Sequence, residues 1–230
     1  MSAPPAKSGS SSASDRGCPT AITVHAWRAV EEGSPELNDD QAGNADAAGA
    51  CLNPLLNAVF CGRSDDGCRF GACGDRGIWY GAERPQTMLH ELAFYRFLMH
   101  TRSGADPGPR RQTYHVFRAS IHTRRGLDLT RCDWARCRHD YTRTRAAGAR
   151  ARREGVQVLR YGSAREPAAG PCVAVLCPNA FDHPEPLDPP RAWICEGDGR
   201  HLVFHDPDGG RSLFRVDLFQ ENGRLPHPCG

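Results

Sequence analysis

Three polar residues stand at even spacing between Gly67 and Phe97: Arg69, Tyr80 eleven residues on, and Glu91 eleven beyond that. A guanidinium binds phosphate or carboxylate through two parallel hydrogen bonds. A phenol offers a ring to stack on and a polar tip. A carboxylate stabilises positive charge that develops during a reaction. Brought to one pocket, the three would hold an anionic ligand and do chemistry beside it.

The elements around them must make that convergence possible. Gly67, Gly71, Gly74 and Gly77 space the stretch that carries Arg69, giving a loop open to unusual backbone angles and close ligand approach. Gly77 to Ala82 reads as a strand, with Trp79 and Tyr80 on opposite faces. Pro85 suits the first turn of a helix, and Met88, Leu89, Leu92, Phe94, Tyr95, Leu98 and Met99 follow at mainly helical spacing, which places Glu91 at the edge of the apolar stripe. The helix is expected to end near Ser103-Gly104.

Elsewhere, residues 1–19 are rich in Ser, Ala, Pro and Gly and read as a disordered tail, leaving 20–230 as one domain. Thr20 to Arg28 is a first strand, Glu31 to Ala50 a long acidic loop, and Leu52 to Phe60 a short helix. Thr113 to Ile121 is a strand and Leu127 to Leu129 a short edge piece. A basic helix is expected over Arg131 to Arg153, whose eight arginines against Asp133 and Asp140 give it a charge of +6. Strands follow at Val156 to Tyr161 and Cys172 to Leu176, separated by a turn at Gly162 to Pro167. Ala192 to Cys195, His201 to His205 and Ser212 to Leu218 close the chain as an antiparallel set. Strands outnumber helices without regular alternation, so the class is α+β, a mixed or antiparallel β core with flanking helices.

Composition narrows the function classes. The formal charge of +2 points to neither a nucleic-acid nor a membrane partner in bulk. No apolar run nears the roughly 20 residues of a membrane span, and the N-terminus lacks the apolar core of a secretory signal. A cytoplasmic protein is expected, with its eleven cysteines reduced. The odd count argues against a full disulfide framework, and buried, inert thiols are the simplest account. No metal is expected. Cys61, Cys68 and Cys73, or Cys132, Cys137 and His139, make no C-x-x-C knuckle, and His90-Glu91 is followed by Phe94 where a zincin motif needs histidine.

Taken one at a time, the candidate residues have plain readings too. Glu91 reads as a face residue of an amphipathic helix, Tyr80 as core, Arg28 as a strand-end charge and Ser163 as a turn residue.

Four stretches in order shift that balance. Trp27-Arg28, then Arg69-Phe70 with Ile78-Trp79-Tyr80-Gly81-Ala82, Thr87 and Glu91, then Leu127-Asp128-Leu129-Thr130, then Tyr161-Gly162-Ser163-Ala164-Arg165 together resemble the RES-domain family. The resemblance runs from about residue 21 to 218. It departs from the family pattern at Ala29 and Gly71. It implies a fold like that of the mono-ADP-ribosyltransferases and a toxin of a bacterial toxin–antitoxin pair that cleaves the nicotinamide–ribose bond of NAD+, by hydrolysis or phosphorolysis. No cofactor is implied beyond NAD+ as substrate. The implied partner is an Xre-like helix-turn-helix antitoxin that covers the active site. Carried over by position, Glu91, Arg69 and Ser163 are catalytic, and Arg28, Arg69, Tyr80 and Ser163 bind NAD+. Transfer of ADP-ribose to a protein is the alternative within this chemistry. An arginine-rich nucleic-acid binder, using the basic segment 131–153, is the alternative outside it; direct nucleic-acid binding is the less favoured reading, since that segment has no recognition motif.

Overall fold

The computed structural model describes residues 19–34, 52–63, 67–102 and 110–226. The expected tail, Pro19 excepted, and residues 35–50 of the expected acidic loop lie outside the described residues, as do Ser103 and Gly104, where the central helix was expected to end. The strands are β1 (Thr20–Glu31), β2 (Trp79–Ala82), β3 (Arg110–Asp128), β4 (Val158–Gly162), β5 (Pro171–Val175), β6 (Arg191–Gly197), β7 (His201–His205) and β8 (Arg211–Arg215). Three α-helices accompany them among the described residues: α1 (Pro54–Cys61), α2 (Pro85–Arg102) and α3 (Thr142–Arg153). The α+β class expected from the sequence is the one observed.

The strands form one sheet in the order β1-β2-β5-β4-β3-β6-β7-β8, antiparallel except where β3 runs parallel to β4. β1 also pairs with β3 along most of its length, so β1, β2, β5, β4 and β3 close a circuit. The last three strands extend from β3 as the antiparallel set expected, except that the third ends at Arg215 and residues 216–218 lie in a 3-10 turn, Val216–Phe219.

Alternation along the strands divides the core into two faces. Ile22, Ala26, Trp79, Phe117, Ala119, Ile121, Val173 and Val175 pack with Leu56 and Phe60 of α1 on one side. Val116, Leu159, Tyr161, Cys172 and Ala174 pack with Leu89, Ala93, Phe94 and Phe97 of α2 on the other. Trp79 and Tyr80 point to opposite faces as expected, and the Trp79 indole donates to the Leu55 carbonyl at 3.2 Å. The site lies on the α2 side.

Three expectations are corrected. Thr113–Ile121 and Leu127–Leu129 belong to one 19-residue strand, β3, except that Leu129 lies just past its end. Leu127 pairs with Leu159 of β4 rather than standing at an edge. The helix expected over Arg131–Arg153 occupies only its second half; ahead of it stands a single 3-10 turn at Asp133–Arg136. The Ala135 and Cys137 carbonyls, which a continuous helix would spend on its own amides, each accept from Arg69 Nη1 at 3.0 Å. Asp140 then restarts the helix, its Oδ1 accepting the Thr142 amide at 2.7 Å. Finally, the thiols are not uniformly buried. Cys172 and Cys195 are, whereas Cys61 and Cys73 are exposed.

Candidate active site

α2 lays Met88, Glu91, Leu92, Tyr95 and Leu98 along one stripe, at the three- and four-residue spacing that keeps side chains on one helix face. That stripe walls a cavity of about 490 Å³, which Trp27, Arg28, Arg69, Tyr80, Tyr141, Arg145, Tyr161 and Cys172 also line. Four of the five residues singled out from the sequence, Arg28, Arg69, Tyr80 and Glu91, therefore face one cavity.

The fifth, Ser163, stands behind it. β4 ends at Gly162 and β5 begins at Pro171, directly opposite in register, so residues 163–170 form the connection between them. Ser163 is 1% exposed. Its hydroxyl donates to Glu91 Oε1 at 2.5 Å and accepts the amides of Arg165 and Glu166, each at 3.1 Å. Every hydrogen-bonding capacity of a serine hydroxyl is then used. Ser163 is a turn residue as expected, and the turn is what aims its hydroxyl at Glu91. Among the described residues this is the one hydrogen bond to the Glu91 carboxylate, whose remaining capacity faces the cavity.

The same connection anchors the start of α2. Glu166, buried, accepts from Thr87 Oγ1 at 2.8 Å, the Gly170 amide at 2.9 Å and Arg84 Nη2 at 3.1 Å. A carboxylate at a helix N-terminus also gains from the helix dipole. Ser163 and Glu166 thus pin α2 at two points, one of them the catalytic candidate.

Arg69 is held from several sides. Its guanidinium binds the Ala135 and Cys137 carbonyls, donates from Nη2 to the Tyr141 hydroxyl at 3.3 Å, and lies 4.6 Å from the Tyr141 ring centroid. Burial weakens its charged form, but the Tyr141 phenol and the Glu91 carboxylate more than restore it, and its pKa moves upward. The backbone around Arg69 is clamped as well. Tyr80 accepts the Phe70 amide at its hydroxyl (3.2 Å) and donates to Cys68 Sγ (3.1 Å). Burial pushes the Tyr80 and Tyr161 phenols well above their ordinary range, so both stay neutral. Arg28 donates from Nη1 to the Tyr80 carbonyl at 3.1 Å and lies 5.4 Å from the Trp79 ring centroid.

Sequence reasoning missed Tyr141, and it gave no role to Arg165, which closes the Tyr161–Arg165 motif. The Tyr141 hydroxyl accepts from Arg69 at 3.3 Å and from Arg165 Nη2 at 3.0 Å, joining two buried guanidinia. Arg165 is fully buried and its guanidinium sits 3.5 Å from the Phe94 ring centroid. The one signal for Tyr141 was a large aromatic in an otherwise cationic stretch. Arg145, also a wall of the cavity, ties α3 to the Arg69 loop through the Cys68 carbonyl at 3.2 Å. No cluster of three or more His, Cys, Asp or Glu side chains able to hold a metal occurs among the described residues.

Fold and cleft together define an α+β protein with a serine-oriented carboxylate facing guanidinia across one cavity. The model of the RES domain matches residues 52–196, and the chain belongs to the RES-domain family. No curated protein matches the sequence. Among solved structures the chain is similar to one in the crystal structure of the M. tuberculosis MbcT-MbcA toxin-antitoxin complex, at 14% identity and a TM-score of 0.43, over 78% of this chain and 85% of that one.

Proposed function

We propose that this protein is the toxin of a toxin–antitoxin pair and that it cleaves the nicotinamide–ribose bond of NAD+. The observation that carries this reading is the bond from Ser163 Oγ to Glu91 Oε1, which fixes one carboxylate in a cavity that guanidinia, aromatic rings and apolar side chains also line. Nicotinamide leaves as a neutral pyridine, taking the electron pair of the C1′–N bond, so the reaction needs no general acid. It needs one carboxylate to stabilise the oxocarbenium-like ribose, unlike the paired carboxylates of ordinary glycoside hydrolysis. Glu91 has that role. Ser163 positions it, Arg69 and Arg28 take the pyrophosphate, and the rings of Tyr80 and Tyr161 wall the pocket for the departing base. A nucleophile then adds to C1′ and loses its proton to solvent.

Family membership supports the toxin assignment, and with it an antitoxin of the Xre-like helix-turn-helix type as partner and the cytoplasm as location. No helix among the described residues is long and apolar enough to cross a membrane. Several arginines of the basic segment have partners within the chain, some of them at its surface, which weighs against a nucleic-acid binder. Arg138 bonds Ala164 and Glu221, Arg145 bonds Cys68, Arg150 bonds Glu154 and Arg152 bonds Arg76.

The test is product analysis of purified protein incubated with NAD+, with and without inorganic phosphate. Free ADP-ribose identifies a hydrolase, its 1″-phosphate a phosphorylase, and label from NAD+ retained on protein a transferase. Intact NAD+ after prolonged incubation with folded protein would overturn the proposal.

A further inference from the structure

A second cavity, of about 270 Å³, adjoins the first. The two share Arg28, Ala29, Leu92 and Tyr95 as walls. Glu91 and Arg69 face only the larger one, while Glu31, Ser34, Arg96 and Tyr114 face only the smaller. A ligand occupying both would pass its middle beside Arg28, the one guanidinium common to the two. An anionic centre between two bulky ends is the form of a dinucleotide, with the reacting ribose beside Glu91 and the distal nucleoside in the smaller cavity.

Of the two charged groups that face only the smaller cavity, Glu31 and Arg96, the carboxylate is the more exposed. Glu31 Oε1 lies 3.8 Å from Arg96 Nη1, beyond hydrogen-bonding distance, and the Glu31 side chain is 40% exposed against 9% for Arg96. The cation therefore lies beneath and the anion on top. Burial raises the neighbouring Tyr114 phenol above its ordinary range, so it adds no competing charge. A carboxylate so placed accepts from the hydroxyls of a ribose, as acidic residues do in other dinucleotide sites, and repels a phosphate attached to that ribose.

We propose that Glu31 is a specificity-determining residue: it receives the distal ribose of the dinucleotide in the smaller cavity and excludes ligands that carry a 2′-phosphate there. This rests on the NAD+-cleaving reading above and extends it to NAD+ over NADP+.

The experiment measures nicotinamide release from NAD+ and from NADP+ by the full chain and by Glu31→Gln, with calorimetric binding of 5′-ADP and 2′,5′-ADP to both. The full chain is expected to favour NAD+ by at least about tenfold in kcat/KM, and Glu31→Gln to shrink that ratio about tenfold by gaining on NADP+ and losing on NAD+ through KM. Equal use of both dinucleotides, or a variant that loses on both in proportion, as a merely structural partner of Arg96 would, overturns the inference. If neither dinucleotide is cleaved, the reaction assigned above fails and binding alone decides the role of Glu31. Preference for 5′-ADP that disappears in Glu31→Gln upholds it, and equal or absent binding of the two nucleotides overturns it.

Discussion

At the scale of single residues, the Ser163 hydroxyl has no hydrogen-bonding capacity left for a ligand. It joins the 163–170 connection to Glu91, so in the proposed reaction it would act through the carboxylate and not on the ligand. Ser163→Ala should lower kcat about ten- to hundredfold, since a carboxylate free to rotate loses its alignment with the reacting ribose, while KM moves less. It should also cost roughly 1–3 kcal/mol of stability, because the buried amides of Arg165 and Glu166 lose their acceptor. Turnover and denaturant midpoints of the variant check both halves; a large rise in KM with kcat preserved would instead put Ser163 in contact with the ligand. The sequence pointed to Glu91, Arg69, Tyr80, Arg28 and Ser163 because each sits in a short ordered motif. Tyr141 and Arg165 were harder to see. Their roles arise from a hydroxyl shared between guanidinia 96 positions apart in the chain, and no local spacing encodes such a meeting.

At the scale of elements, the Arg69 loop is squeezed between β2 and α3. A Cβ on Gly148 would stand 1.9 Å from the Phe70 carbonyl oxygen, so α3 seats against the loop only because position 148 has no side chain. Gly148→Ala should push the loop off α3, costing roughly 1–3 kcal/mol in overpacking and lowering activity with stability, since Arg69 is the next residue along. Thermal denaturation and nicotinamide release, measured on the same preparation, test this; unchanged stability would mean that the loop yields freely and is not clamped. Most elements were legible from periodicity, including α2 from its proline start and β2 from its alternating aromatics. The basic segment misled for a physical reason. The alanines and arginines of residues 131–153 favour helix, yet the first part is bent into a 3-10 turn, in and just after which the Ala135 and Cys137 carbonyls serve Arg69, a partner more than sixty residues away. The continuity of β3 was hidden in a similar way, because polar residues between its two apolar ends broke the pattern.

At the scale of the whole molecule, carboxylates tie remote segments of the chain together. The Arg118 guanidinium holds Asp188 below the usual carboxylate range, and Arg138 and His139 do the same for Glu221. Burial opposes ionisation of Asp128, but hydrogen bonds from Thr130 and Arg160 leave it depressed as well. Groups with depressed folded-state pKa values contribute stability that is present above their unfolded pKa and lost as pH falls through the folded one. Stability should therefore hold from neutral pH to about 5 and decline below about 4. Denaturant midpoints across that range check it, and a rise on acidification would contradict it. Because Arg138 also donates to the Ala164 carbonyl at 2.8 Å, loosening at Glu221 should reach the Ser163 connection, so activity should decline along with stability. The most direct test of the whole account is nicotinamide release from NAD+ by the intact protein beside Glu91→Gln, which keeps the shape of the side chain and removes its charge. We expect release by the intact protein and at least about a hundredfold lower kcat in the folded variant. Equal turnover by the two would contradict the assignment of Glu91 as the group that stabilises the reacting ribose.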